Sequence, residues 1–242
     1  MKNLKLFLGV LMFCSFYCNS QVSEGKILYN VNIDIFMERI NSNNSNSSAN
    51  TLFKDVAKAI KDVSMTLSFN QHLSKFEVNK TMPSDFSEKT SKLALIMANK
   101  GVYYTNKKLG KQLLVRTFQG DNFNVLSEIE ERNWTLTRES KKIGDFTCYK
   151  ATMNKETVGG NFPITAWYTP QIPLSFGPNQ FVGNLPGLIL ELHDTDVSYV
   201  CSTITLNPKE NVVIEWPEAD ETMTKEEYKK TGDKLKKKLT KF

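Results

Sequence analysis

Between Ala166 and Leu192 the chain reads AWYTPQIPLSFGPNQFVGNLPGLILEL. Two apolar runs flank a loop holding Pro170, Pro173, Pro178 and Pro186, four of the chain's eight prolines. Each proline fixes φ and removes a backbone donor, so no helix and no central strand can run through the loop. Gly177, Gly183 and Gly187 admit backbone conformations that other residues resist. The stretch folds as strand, rigid loop, strand, and the remaining elements must fit around it.

The period-two pattern recurs elsewhere. Along Glu24 to Phe36, Ile27, Tyr29, Val31, Ile33 and Ile35 share one face, which predicts a half-buried first strand. A meander follows, with strands expected over 64–69, 74–78, 94–99, 101–106 and 112–117. Residues 124–130 are ambiguous. Further strands are expected over 134–138, 146–153, 164–169, 188–193 and 197–206, with turn chemistry at Lys142–Asp145, Gly159–Asn161 and Asp194–Asp196. The period switches to helical over Thr51–Val63, where Leu52, Phe53, Val56, Ala59, Ile60 and Val63 form one apolar stripe and Thr51 is a plausible N-cap. These elements predict a mainly β protein: a curled antiparallel sheet or half-barrel, one amphipathic helix packed on it, and a C-terminal helical tail.

The ends of the chain bound its setting. Lys2 and Lys5 precede an apolar run from Leu6 to Tyr17, and Cys18-Asn19-Ser20 supplies small residues before a cut. Residues 1–20 therefore read as a signal peptide, with lipoprotein processing at Cys18 disfavoured by bulky Phe16 and Tyr17. Residues 21–221 form one β-rich domain, and the polar run 41–50 is a flexible insertion. Residues 222–242 form a basic tail, with eight lysines against three acids from Lys225 onward. That excess equals the net charge of +5, so the domain is nearly neutral and a nucleic-acid partner is not expected. The tail suits peripheral contact with an anionic membrane or an acidic partner. Export to the periplasm or outer envelope is the expected location.

After signal removal Cys148 and Cys201 remain. In an exported protein they form either a disulfide, closing a loop of about 50 residues and contributing roughly 4 kcal/mol, or two separate buried thiols.

Catalytic patterns are missing. There is no Gly-x-Ser-x-Gly, no His-Glu-x-x-His and no phosphate-binding glycine loop. Ser175 has no nearby histidine in the sequence. Glu191, His193, Asp194 and Asp196 cluster, with Glu191 and His193 on one strand face, but ordinary strand-end chemistry accounts for them. No catalytic residue, metal or cofactor is assigned.

The blocks Phe146–Ala151, Trp167-Tyr168-Thr169-Pro170, Pro173-Leu174-Ser175-Phe176-Gly177-Pro178 and Gly183-Asn184-Leu185-Pro186-Gly187-Leu188-Ile189 occur in that order. In this the chain resembles the GLPGLI family of exported Bacteroidota proteins, with Asn184 inserted after the first motif glycine. The resemblance implies export but no defined chemistry. The strand–loop–strand pattern is also similar, at the level of fold, to lipoprotein-localisation (LolA-like) half-barrels. The resulting expectation is a non-enzymatic binding protein. Its concave apolar face would take an apolar ligand or protein segment, with Trp167, Tyr168, Phe176, Phe181, Leu185 and Leu188 as the rim. The alternative is an accessory module of an outer-membrane transport or assembly complex.

Overall fold

The computed structural model describes residues 22–42, 48–79, 86–98, 101–118, 120–157, 160–219 and 221–239. The expected signal peptide, and residues 43–47 of the 41–50 insertion, lie outside the described residues, while the described ends of that insertion are helical. One antiparallel sheet carries eleven strands: β1 (Gly25–Asn32), β2 (Ser64–Phe69), β3 (Leu73–Val78), β4 (Val102–Asn106), β5 (Lys111–Phe118), β6 (Asp121–Glu128), β7 (Thr135–Ile143), β8 (Phe146–Thr157), β9 (Gly160–Thr169), β10 (Leu188–Asp194) and β11 (Val197–Leu206). Their order is β6-β5-β4-β3-β2-β1-β11-β10-β9-β8-β7. Two sequential meanders thus meet where the first strand pairs with the last, Ile27 opposite Ile204 and Val31 opposite Tyr199.

Alternation sets the inner face. Ile27, Tyr29 and Val31 on β1, Met65, Leu67 and Phe69 on β2, and Ile164, Ala166 and Tyr168 on β9 are all buried. Burying each large side chain contributes roughly 1.5–3 kcal/mol relative to exposure. The sheet is open but curled. Tyr103 on β4 and Asp194 on β10 stand five strand spacings apart in the order, about 24 Å along a flat sheet. Yet the Asp194 carboxylate is near enough to add to the burial that raises the Tyr103 phenol.

Four α-helices lie among the described residues: α1 (Asp34–Ser42), α2 (Ser48–Ala59), α3 (Glu88–Ala98) and α4 (Lys225–Leu239). The expected amphipathic helix is α2 with a 3-10 turn at Ile60–Asp62, and Val56, Ala59, Ile60 and Val63 are its buried stripe. It begins at Ser48, so Thr51 lies inside it and is not the N-cap. Two helices correct strand expectations. The first strand ends at Asn32, and Asp34 opens α1 instead, leaving Ile35 41% exposed. Of the run 94–99, the described part Ala94–Ala98 is not a strand but the end of α3. Its Ser87 caps the helix by accepting from the Thr90 amide at 3.2 Å, and Thr90, Ala94 and Ala98 make a narrow buried stripe. Small residues at that spacing let α3 approach α2 closely.

Two buried phenols pin the layers. Tyr29 donates to the Ile189 carbonyl at 2.6 Å. Tyr199 donates to the Ala98 carbonyl at 3.0 Å and accepts from Asn179 Nδ2 at 2.8 Å, joining α3, β11 and the β9–β10 loop. Helix α4 lies across the β6 edge, with Tyr228 edge-on to Phe123 at 5.6 Å between centroids. The segment before it caps that edge: Met223 donates to Asn124 O and accepts from the Leu126 amide, both at 2.9 Å. Thr224 and Glu227 then form a reciprocal capping box that starts the helix. Side chains of α4 beyond residue 232 lie outside the described residues.

Candidate functional site

The proline-dense loop between β9 and β10 is a plug, not a rim. Phe176, Phe181, Leu185 and Leu188 are at most 3% exposed, and Tyr168 is 6% exposed. These five expected rim residues therefore face the core. The physical reason is that the loop's apolar side chains complete the concave core of the curled sheet. Phe176 packs toward Phe69, and Phe181 toward Trp134, at 6.2 Å between centroids in each case. The backbone is tied to itself and to the sheet by Gly183 to Ser175 O, Ile189 to Phe176 O and Leu188 to Ile172 O, at 3.0 to 3.1 Å. Pro170, Pro173 and Pro186 lie on its outer side and Pro178 is buried.

Three positions of the loop, Gly177, Gly183 and Asn184, have a structural reason. A Cβ on Gly177 would lie 2.6 Å from the Phe181 carbonyl oxygen, so only glycine fits. Gly183 has φ 77° and Asn184 φ 63°, both left-handed. Asparagine tolerates that region, and Asn184 Oδ1 accepts from the Arg132 amide at 3.2 Å. The inserted residue therefore fits its turn by conformation and by a side-chain bond. Lys107, on the β4–β5 turn, donates to Ser175 Oγ at 3.1 Å and sits 4.3 Å above the Phe176 ring. Burial lowers its ammonium pKa.

Trp167 alone of the six points the other way. Its neighbours Ala166 and Tyr168 face inward, so alternation sends the indole to the outer face of β9. There it borders an open groove of about 450 Å³, where Phe162, Pro163 and Ile35 add apolar surface. Arg39, Lys150 and His193 also line it. Lys141 on edge strand β7 lies 4.4 Å from the indole centroid, in a cation–π contact. Arg39 from α1 stacks 5.3 Å from the Phe162 ring and is paired with Asp196.

Beside the indole runs a polar chain that sequence reasoning saw only in part. Lys141 Nζ donates to Glu191 Oε2 at 2.6 Å, Glu191 Oε1 lies 2.7 Å from His193 Nε2, and His193 Nδ1 lies 2.7 Å from Ser198 Oγ. Burial alone would raise the Glu191 carboxyl. The His193 bond and the Lys141 ammonium outweigh it and hold the group below the usual carboxylate range. The serine–histidine–carboxylate order is that of a nucleophilic relay. Ser198, however, is 2% exposed, so its hydroxyl does not reach the groove, and the chain acts as a brace. Alternation placed Glu191 and His193 together; Ser198 and Lys141 come from β11 and β7, and no local spacing announces them.

The acidic cluster of the β10–β11 hairpin is fully engaged. Asp194 is paired with Lys155 at 2.7 Å, and Asp196 with Arg39. Among the described residues, no three His, Cys, Asp or Glu side chains converge as a metal site needs. Cys148 on β8 and Cys201 on β11 are free thiols, and β9 and β10 lie between their strands in the sheet.

Among known proteins, a family model described as "Protein of unknown function (Porph_ging)" matches residues 154–191, which cover the end of β8, β9, the plug loop and the start of β10. It is a Bacteroidetes-type domain, and the match accords with a GLPGLI-type family. Curated proteins give no match. Two solved structures of PNGF-II are similar in fold. The C2 crystal form has 14% identity, covers 78% of this chain and 28% of its own, and has a TM-score of 0.47. The P21 form has 15% identity, covers 86% and 32%, and has a TM-score of 0.48. The chain thus spans about a third of the length of those proteins.

Proposed function

We propose that the chain is an exported envelope protein of the GLPGLI type that binds a protein segment and performs no catalysis. The single observation that carries this reading is the open groove beside Trp167, lined by Phe162, Pro163 and Ile35. An indole held half-exposed by a cation–π contact and a braced polar chain is a preorganised anchor, the residue type that dominates protein-binding surfaces. The concave face favours a segment over an engulfed lipid at this end of the sheet, because the plug loop fills it. The basic tail would hold the protein near anionic membrane, consistent with a place in the periplasm or outer envelope.

The test is photo-crosslinking in cells from a benzophenone amino acid at Trp167, with exposed Val213 as the control position. One envelope protein captured from position 167 and not from 213 is the expected result. Identical adducts from both positions, or none from 167, would sink the proposal.

A further inference from the structure

We infer that Thr195, at the tip of the β10–β11 hairpin, sets specificity at the far end of the Trp167 groove, where its methyl group meets an apolar side chain of an extended partner segment. This rests on the groove's being the segment-binding surface, and it comes from a strained backbone. Among the described residues, those other than glycine with φ in the left-handed region are Asn179, Asn184, Thr195 and Asn207. Asparagine tolerates that region. Threonine does not: at φ 56° the β-branched side chain of Thr195 crowds the backbone. The Asp196 amide also donates to the Asp194 carbonyl at 2.6 Å, and such a bond across one residue of positive φ is a γ-turn of the rare, strained kind.

Closing the hairpin does not call for threonine, since glycine or asparagine would make the same turn without the strain. Both flanking residues are already held, Asp194 by Lys155 at 2.7 Å and Asp196 by Arg39 of α1. Arg39, Phe162 and Thr195 all line the groove, so the fixed tip stands in its wall. Strain of this kind clusters at ligand clamps, where the surrounding structure over-determines it. The Thr195 hydroxyl donates to Asp194 Oδ1 at 3.2 Å, so the methyl group is what the side chain has left to offer a partner. Position then constrains the shape of that partner. Trp167 pairs with Glu191, and Asp194 lies further along β10 by about 10 Å at strand spacing. A segment reaching from the indole to Thr195 therefore runs extended over at least about four residues.

The experiment repeats the crosslinking from position 167 with the full chain carrying Thr195→Asn, Thr195→Ser or Thr195→Val, and measures Tm for each. Thr195→Asn should raise Tm by about 2 °C or more as the strain is released. It should also lower capture by about 4-fold, the loss of one buried methyl at about 0.8 kcal/mol. Thr195→Ser keeps the hydroxyl and should lose the same factor. Thr195→Val keeps a methyl and should capture as well as the parent. Should the valine variant not fold, the serine variant decides alone. Undiminished capture by the asparagine or serine variant, equal loss by valine and serine, or a Tm that Thr195→Asn leaves unchanged would each overturn the inference. Capture by the parent and undiminished capture by the variants would remove Thr195 and leave the groove standing. No capture by the parent would remove the groove itself, and Thr195 with it.

Discussion

A Cβ placed on Gly187 would lie 2.0 Å from the Thr169 carbonyl oxygen. The second motif glycine is thus required by the close approach of two backbones, where the plug loop re-enters the sheet beside the end of β9. Gly187→Ala must push β9 and β10 apart at Leu188 opposite Thr169. Destabilisation of about 3 kcal/mol is expected, at the upper end of overpacking costs. For a chain of this size that is a fall in Tm of about 6–12 °C. Gly183→Ala, whose Cβ would meet only Ile129 Cγ2 at an ordinary 3.5 Å but at φ 77°, should cost only about 1 kcal/mol. Thermal melts showing the reverse order would refute this account of the motif.

Glu191 links stability to pH. Its folded pKa is depressed, so its contribution is fully present above the unfolded value of about 4.3 and is lost as pH falls through the lower folded value. Glu191→Gln should therefore be less stable than the parent at pH 7, with a gap that closes on acidification below about pH 4. Tm measured across that range is the check. A gap as large at pH 3 as at pH 7 would show that the Lys141–Glu191–His193 chain contributes through packing and not through charge.

The two thiols should be inert. Burial pushes both Cys148 and Cys201 up to about 11. At pH 8 alkylation of the native protein should be slower than that of the unfolded chain by on the order of 100-fold, from the thiolate fraction alone. Intact mass after unfolding in alkylating agent without reductant should show both cysteines modified. An unmodified mass at that step would reveal a disulfide.

Met223 guards an edge. Its two backbone bonds to β6 leave less of that strand open to another chain. Met223→Pro removes the donor to Asn124 and should raise aggregation of the folded protein, measured by light scattering at constant Tm. Unchanged scattering would mean that α4 alone protects β6.

Much of the fold was legible because alternation is enforced wherever one sheet face is buried. Residues 64–69 and 197–206 were expected as strands and are strands with those bounds. The reading failed where alternation persisted by chance. Ile33 and Ile35 continue the pattern of β1, but the sheet partner on β11 ends at Ser198, opposite Asn32, and the chain turns into α1. It failed again at α3, where Leu93 to Met97 form a short apolar run with no clear period, and the helix signal lay in the Ser87 cap. At the site, the indole's side of the sheet was readable from parity. The rim was misplaced because prolines and glycines announce a rigid loop without saying which way its phenylalanines face. The braces of Trp167 come from β7, β10 and β11, and such long-range neighbours leave no local trace.

The pairing of β1 with β11 also orders events in time. Until Leu206 is available, β1 is the outer strand of the N-terminal meander, and its apolar row of Ile27, Tyr29 and Val31 has no neighbour on that side. A chain crossing a membrane from its N-terminus would hold that row uncovered through most of its passage, and a holding chaperone that recognises extended apolar strands would find its target there. Folding is then gated by arrival of the last strand, so a chain stalled or truncated before Val197 keeps its most aggregation-prone edge, however well its first six strands have formed.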